Sequence, residues 1–391
     1  MTQETDTTAD SGPGKVAEGK QDQIGPAAAG PQPAGAGGLG ARMRRLRPSS
    51  TLAWHSLLML LAFVGIAVLL ETVPPFRGSQ LAAMAYFLPA VAGLTVLTGI
   101  NGQISLGHGA LLAVGAYTTA VLLDRFPDLP FLLVLVAAVL MTSVVGIVVG
   151  AAAARLHGPY LAGATLAFAV GLPGLAIYFE EFLGGEQGLR VSPPQAPAVT
   201  ESTYFFITGH DLNPANYIGY LCWILALVVL LLLSNLVRSR YGRVWRAVRD
   251  DEVAAQLAGI DLGRARILAF TVSAACAGVG GALLAIVTRL AAPASFTIVL
   301  SIFLLVAIVV GGLGSLLGAV IGSALLVFLT PFVTNVGRDA GLSSAQAANV
   351  APLVFGVFLI VVMLLAPQGL VGTVRLRLLQ RRATRTAAAA G

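Results

Sequence analysis

The chain has 391 residues, of which 57% are hydrophobic and 11% charged, with a net charge of +6 and a mean hydropathy of +0.85. Soluble domains carry about 25% charged residues, so a soluble globular protein is excluded and an all-α polytopic membrane protein is the expected class. The cation is almost all arginine, because Lys15 and Lys20 are the only lysines, and it gathers at the ends of apolar runs rather than in a nucleic-acid-binding patch.

Residues 1–47 hold Gly, Ala, Pro, Gln, Asp and Thr and then Arg42, Arg44, Arg45 and Arg47. This composition predicts a disordered tail with a basic flank. The apolar run from Leu52 is long and far from the start, unlike a cleaved signal segment, and reads as a retained membrane helix. A membrane domain is expected over 48–370, followed by a basic tail over 371–391.

Hydropathy predicts about ten spans, at roughly 52–70, 81–100, 105–123, 131–154, 158–179, 217–237, 266–290, 296–311, 313–333 and 350–366. Eight spans fit equally if one pair is re-entrant. Arginines mark three segments as cytoplasmic: the N-terminal flank, 238–266, and the tail with Arg375, Arg377, Arg381, Arg382 and Arg385. The loop 180–216 carries Glu180, Glu181, Glu186, Glu201 and Asp211 against Arg190 alone and is expected outside. An odd number of spans before that loop and an even total put both termini in the cytoplasm. Spans two to five and seven to ten then have opposite orientations, as an inverted repeat requires.

The stretch "NGQISLGHGALLAVGAY", residues 101–117, sets Asn101, Gln103, Ser105 and His108 among glycines in this apolar chain. On a continuous helix Asn101, Ser105, His108, Gly115 and Thr119 share one face, which should meet other helices or a wet cavity rather than lipid. Gly102, Gly107 and Gly109 weaken the helix near its start, and such breaks often mark a substrate path. Gln103, Ser105 and His108 are the candidate path residues; the alternative is helix packing. Gly314, Gly318 and Gly322, and Gly146 with Gly150, have the four-residue spacing of close helix contacts. Pro173 between Gly171 and Gly174 is expected to kink the fifth span.

No Asp, Glu or Lys lies deep in any span, which disfavours an ion-coupled carrier. No GxxxxGK[ST] loop occurs, so the chain does not bind ATP by that route. Cys222 and Cys276 sit singly in apolar runs and form no metal or disulfide pattern. Scattered histidines supply no catalytic cluster, so an enzyme is not expected, and no cofactor or metal is implied.

The segment "RSRYGRVWRAVRDDEVAAQLAGIDLGRAR" predicts two short amphipathic helices. Tyr241, Val244, Trp245 and Val248 form one face, with Arg243, Arg246 and Arg249 off it. Asp250 or Asp251 can cap the second helix and Gly259 can end it. Such a knob, with small residues at Ala254, Ala255 and Ala258, suits docking into a partner's groove.

This segment resembles the cytoplasmic coupling loop of ABC importer permeases, with Ala254, Ala255 and Gly259 at matching positions. The acid, Glu252, stands one residue early, and the later Leu-Pro is absent. "GRVWRAVRDDEVAAQLAGID", "GQISLGHGALLAVGAY" and "GGLGSLLGAVIG" are similar to branched-chain amino acid (LIV) permeases of the LivM type, over most of 85–370. The resemblance implies one permease subunit of an importer in a bacterial inner membrane. Its partners would be ATP-binding subunits, a second permease subunit and an extracytoplasmic solute-binding protein. Arg243, Trp245, Arg249, Asp251, Glu252, Ala254, Ala255 and Gly259 would couple it to the ATPase. Urea or short amides remain alternative substrates, and a partner-free transporter or channel is the competing class.

Overall fold

The computed structural model describes residues 51–156, 159–366, 369–374, 377, 378 and 380. The expected tail 1–47 with its four arginines lies outside the described residues, as do Arg375, Arg381, Arg382 and Arg385. Fourteen helices are numbered here in chain order. They are α1 (Thr51–Thr72), α2 (Pro75–Leu94), α3 (His108–Arg125), α4 (Phe131–Ala154), α5 (Pro159–Tyr178), α6 (Glu180–Leu183) and α7 (Ala198–Thr208). The second group is α8 (Pro214–Arg238), α9 (Arg240–Asp250), α10 (Glu252–Leu257), α11 (Leu262–Thr288), α12 (Ile298–Gly311), α13 (Leu316–Asp339) and α14 (Ser344–Leu365). Two-residue strands β1 (Leu189–Arg190) and β2 (Leu290–Ala291) pair antiparallel.

Nine helical stretches among the described residues are long and apolar enough to cross a membrane, against about ten expected. The one that falls short is α3, an 18-residue helix with Gly, Thr, Tyr and His in its sequence. It needs less apolar surface because its neighbours cover it: most of its residues are buried against α4, α5 and α11. Between α2 and α11, α11 forms the hub, packed against α2, α3, α4 and α8. The outer helices show the reverse pattern, with Leu60, Leu61, Val68, Leu132, Leu140 and Val148 all more than half exposed, as lipid-facing residues would be.

Apolar burial drives little helix association inside lipid, so close van der Waals approach must do more. The glycines supply it. A Cβ on Gly281 would sit 2.0 Å from the Leu112 carbonyl oxygen, and one on Gly146 would sit 2.4 Å from the Ala274 Cβ. Gly322 faces the Ala307 carbonyl at 2.2 Å in the same sense. Gly146 and Gly150 are therefore a contact face between α4 and α11, and Gly318 and Gly322 one between α12 and α13, whereas Gly314 lies in the turn before α13 at φ +78° against Gly99. Pro173 lies inside α5, which continues past it.

Both hub helices end in a break. After α2 the chain widens into a π-helical turn, Thr95–Ile100, then runs without regular structure until α3 begins at His108. After α11, residues 289–297 pass through β2 and a short 3₁₀ turn, Pro293–Phe296, before α12 begins at Ile298. The two new helices start against each other: the Gly109 amide donates to Ser301 Oγ at 2.9 Å. His108 also meets Ser273, about three turns into α11. Thus each break doubles back into the bundle before its next helix starts. The order α2–break–α3–α4–α5 recurs as α11–break–α12–α13–α14.

Gly281→Val is expected to lower the melting temperature of the detergent-solubilised protein, reflecting about 1–3 kcal/mol of overpacking. Gly171→Val, at a position with no atom within 4 Å of an added Cβ, should leave it unchanged. A melting curve of each variant checks both.

Candidate functional site

Residues 101–107 fold as an irregular segment, not as the start of a helix. Burial alternates along it: Asn101, Gln103, Ser105 and Gly107 face inward, Gly102 and Ile104 face outward, and Leu106 is intermediate. This corrects the helical stripe expected through Asn101, Ser105 and His108. A period of two puts Gln103 on the same side as Asn101 and Ser105, whereas helical spacing does not. The cause is local. Gly102 adopts φ +85°, which ends the π turn at no steric cost, and the amides of Asn101 and Gln103 return to the carbonyls of Val96 and Leu97.

Inside the bundle the exposed backbone of such a segment must be satisfied by protein. Side chains of the segment and of its neighbours make these bonds, Thr98 Oγ1 among them by donating to the Gln103 carbonyl. Gln103 Nε2 donates to the Arg266 carbonyl at 3.2 Å and also to Asn101 Oδ1. The Leu106 amide donates to Thr165 Oγ1 at 3.0 Å. Ser105 Oγ accepts from the Gly107 amide at 3.3 Å. His108 has no exposed surface; its Nε2 shares a 2.7 Å hydrogen bond with Ser273 Oγ, and its Nδ1 lies 3.4 Å from Ser105 Oγ. Gln103, Ser105 and His108 are thus brought together on one buried side, each bonded to protein. Ile104, half exposed, is the side chain this segment presents outward. The period-two alternation in "NGQISLG" was the signal for it.

The foot of this segment meets the arginine-rich elbow. After α8 the chain turns sharply at Ser239, whose side chain caps α9 by accepting from the Tyr241 amide. Gly242 is required there, because a Cβ would lie 2.0 Å from the Val237 carbonyl oxygen. The two expected helices are α9 and α10. Trp245 is fully buried and donates from Nε1 to the Ala265 carbonyl at 3.1 Å, while Val248 packs beside it. Asp251 caps α10 by accepting from the Ala254 amide at 3.0 Å, and Gly259, at φ +83°, ends it.

Two arginines tie the elbow to the bundle. Arg249 donates to the Gly99 carbonyl, the end of the π turn, at 2.7 Å, and it pairs with Asp250. Arg266, near the start of α11 and 6% exposed, pairs with Glu252 and donates to the Ala154 carbonyl that ends α4. Because the Arg266 backbone also accepts from Gln103, one residue touches α10, α4 and the first break.

The structure sorts the expected coupling residues by exposure. Trp245 and Ala255 are buried in the protein's own body, and Asp251 and Gly259 shape the ends of α10. Arg243 and Ala254 are exposed. Val253 and Leu257, which the small-residue pattern overlooked, are 68% and 85% exposed. The outward face of α10 is therefore apolar, and its buried face holds the small residue Ala255.

At the other end of the bundle the acidic loop is anchored. The Tyr204 and Tyr220 hydroxyls both donate to Glu71 Oε1 at the end of α1. Burial, and then this bond to Glu71, push the Tyr204 hydroxyl above its ordinary pKa, so it stays a donor. A 760 Å³ groove between α3, α4 and α5 is lined almost wholly by carbon, with Tyr117 and Thr118 its polar members.

A bundle of membrane-length helices, broken by two in-turned segments and carrying an amphipathic elbow, has the architecture of a polytopic permease. Residues 78–367 match the family described as "Branched-chain amino acid transport system / permease component". The permease LivM of Escherichia coli K12 is 32% identical over 296 residues, 72% of this chain and 67% of that protein. LivH of the same strain is 30% identical over 310 residues, 76% of this chain and 94% of that protein. BraD of Pseudomonas aeruginosa is 28% identical over 301 residues. No solved structure is similar to the chain. The chain belongs to the branched-chain amino acid transport permease family, as a permease subunit of an ABC importer.

His108→Ala and Ser273→Ala are expected to be coupled in stability by about 0.6–1.7 kcal/mol, the range for hydrogen bonds between membrane helices. A double-mutant cycle of unfolding in detergent measures this; additive losses would show that the pair does not interact.

Proposed function

We propose that this subunit forms the translocation path for branched-chain or related amino acids and is driven by separate ATP-binding subunits that grip α10. The names of LivM, LivH and BraD support the substrate class. The observation that carries the coupling is the exposed apolar face of Val253 and Leu257 on a helix held at the arginine-rich end. Exposed apolar patches rimmed by charge mark protein contacts, and each such side chain contributes about 1.5–3 kcal/mol when buried.

In this reading residues 238–266 are the coupling segment, facing the cytoplasm with both termini, in the inner membrane of a bacterium. Arg243 and Ala254 rim the docking face. Trp245, Asp251, Ala255 and Gly259 hold α9 and α10 in shape. Arg249 and Glu252 pass displacement of the elbow to the break through Gly99 and Arg266. Gln103, Ser105 and His108 fix the break, so that its outward side, with Gly102 and Ile104, moves as one piece with α11. A second permease subunit would complete the path, and a solute-binding protein would deliver the amino acid at the Glu71 end.

The docking test uses exposed positions, because an acid at the buried Ala255 would disturb the fold itself. Val253→Asp with Leu257→Asp is expected to leave membrane insertion and melting temperature unchanged while abolishing copurification with the ATP-binding subunits and ATP-driven leucine uptake. Undiminished copurification would refute the docking role of α10.

A further inference from the structure

At the end of the bundle opposite the coupling segment, a cavity of about 230 Å³ lies between the end of α1, the start of α2, the start of α8 and the end of α11. Two of its lining residues carry opposite charge, Glu71 and Arg289. Among the described residues no ion pair joins them, and the Arg289 guanidinium has no hydrogen-bond partner. The rest of the lining divides into polar groups, Asn216 and Ser79, and an aliphatic floor that includes Leu70 and Ile218. Leu70 and Ile218 are buried at 4% and 6% exposure.

Both residues are exposed at the cavity; the Glu71 carboxylate is held by side-chain bonds and Arg289 by its backbone. Glu71 Oε1 accepts from the hydroxyls of Tyr204 on α7 and Tyr220 on α8. Those bonds leave the second carboxylate oxygen available. Arg289 stands at φ +57°, the one non-glycine residue with positive φ among the described residues. Its carbonyl accepts from the Val191 amide at 3.0 Å, and β1–β2 pairing begins at the next residue. Left-handed backbone disfavours any side chain with a Cβ, and at functional sites such strain persists where the surroundings over-determine it.

An anchored carboxylate and a guanidinium rooted at a fixed backbone position, which line one small cavity without pairing, suit a ligand that carries both complements. We propose that this cavity is an entry subsite for a free α-amino acid zwitterion, the ammonium at Glu71, the carboxylate at Arg289 and an aliphatic side chain on the Leu70–Ile218 floor. The inference rests on the amino-acid reading of the permease and adds a recognition site to it. The carbon-lined groove between α3, α4 and α5 offers no charged group and is no rival for a zwitterion. Glu71 recognises the substrate here without any part in ion coupling, in line with the shortage of ionisable groups deeper in the spans.

The test measures ligand binding to the full permease complex in nanodiscs, without ATP and without the solute-binding protein. L-leucine should bind about tenfold more tightly than 4-methylpentanoate, which lacks the ammonium, or 3-methylbutylamine, which lacks the carboxylate. Glu71→Gln, which keeps an acceptor for both tyrosines, should weaken leucine about tenfold and leave 4-methylpentanoate unchanged. Arg289→Asn, a residue that tolerates left-handed backbone, should weaken leucine alike and leave the amine unchanged. Melting temperature and copurification with the ATP-binding subunits report that each variant is assembled.

No leucine binding by the wild type, in a complex that still drives leucine uptake from its binding protein, overturns the subsite and leaves the permease reading intact. Variants that bind leucine normally but lose uptake also overturn it, and assign Glu71 and Arg289 to contact with the delivery protein. A complete wild-type system that transports no amino acid overturns the reading on which the subsite depends.

Discussion

A guanidinium buried at the foot of α11 organises the working end of this protein. Arg266 cannot keep its charge inside the bundle without partners, and it finds them on two separate elements: the Glu252 carboxylate of α10 and the last carbonyl of α4. Its own carbonyl takes the Gln103 amide. Loss of Glu252 would leave the charge under-compensated, at a cost below the about 3–5 kcal/mol of a fully buried pair because the carboxylate is half exposed. The elbow, the hub helix and the broken segment therefore share one electrostatic joint. Arg249 makes a second tie a short distance away, to the π turn through Gly99.

Around that joint the bundle is held by close approach rather than by ionic chemistry. Gly115 against Gly278, Gly281 against Leu112 and Gly146 against Ala274 bring backbones together where lipid offers no hydrophobic drive. The same economy explains the breaks. Each doubles the chain back into the protein, and the amides freed around the first are taken up by Thr165, Ser105 and Ser301. Polar side chains in this apolar chain thus serve chiefly to satisfy backbone that helices leave unpaired. The ends of the bundle then diverge in chemistry, with an exposed apolar face on α10 at one and a charged cavity at the other.

Much of this was legible in the residues. Hydropathy found the spans within a few positions, and the Tyr241–Val248 face, the Asp251 cap and the Gly259 stop all fold as local rules require. The weak glycine-rich start of the third span was legible too, since no helix tolerates Gly102, Gly107 and Gly109 easily so near its beginning. Three things were not. A helical stripe and a period-two alternation share Asn101 and Ser105, and what decides between them is the positive φ that Gly102 adopts, which the residue type allows but does not dictate. The buried side of α10 depends on how it packs against α9 and α11, which short-range spacing does not encode, so the exposure of Val253 and Leu257 went unseen. Glu71 and Arg289 stand far apart in the chain, at the ends of α1 and α11, and only the fold places them on one cavity.

The account turns on whether the elbow and the first break move as a single body. Pulsed electron–electron distance measurements on the assembled importer address this directly, with one spin label at Arg243 on α9 and one at Ile104 in the break. The account predicts a constant distance between these labels with and without trapped ATP, while the distance from each to a third label at the exposed Leu353 on α14, which packs outside this joint, changes. A distance between Arg243 and Ile104 that shifts on ATP trapping would contradict it.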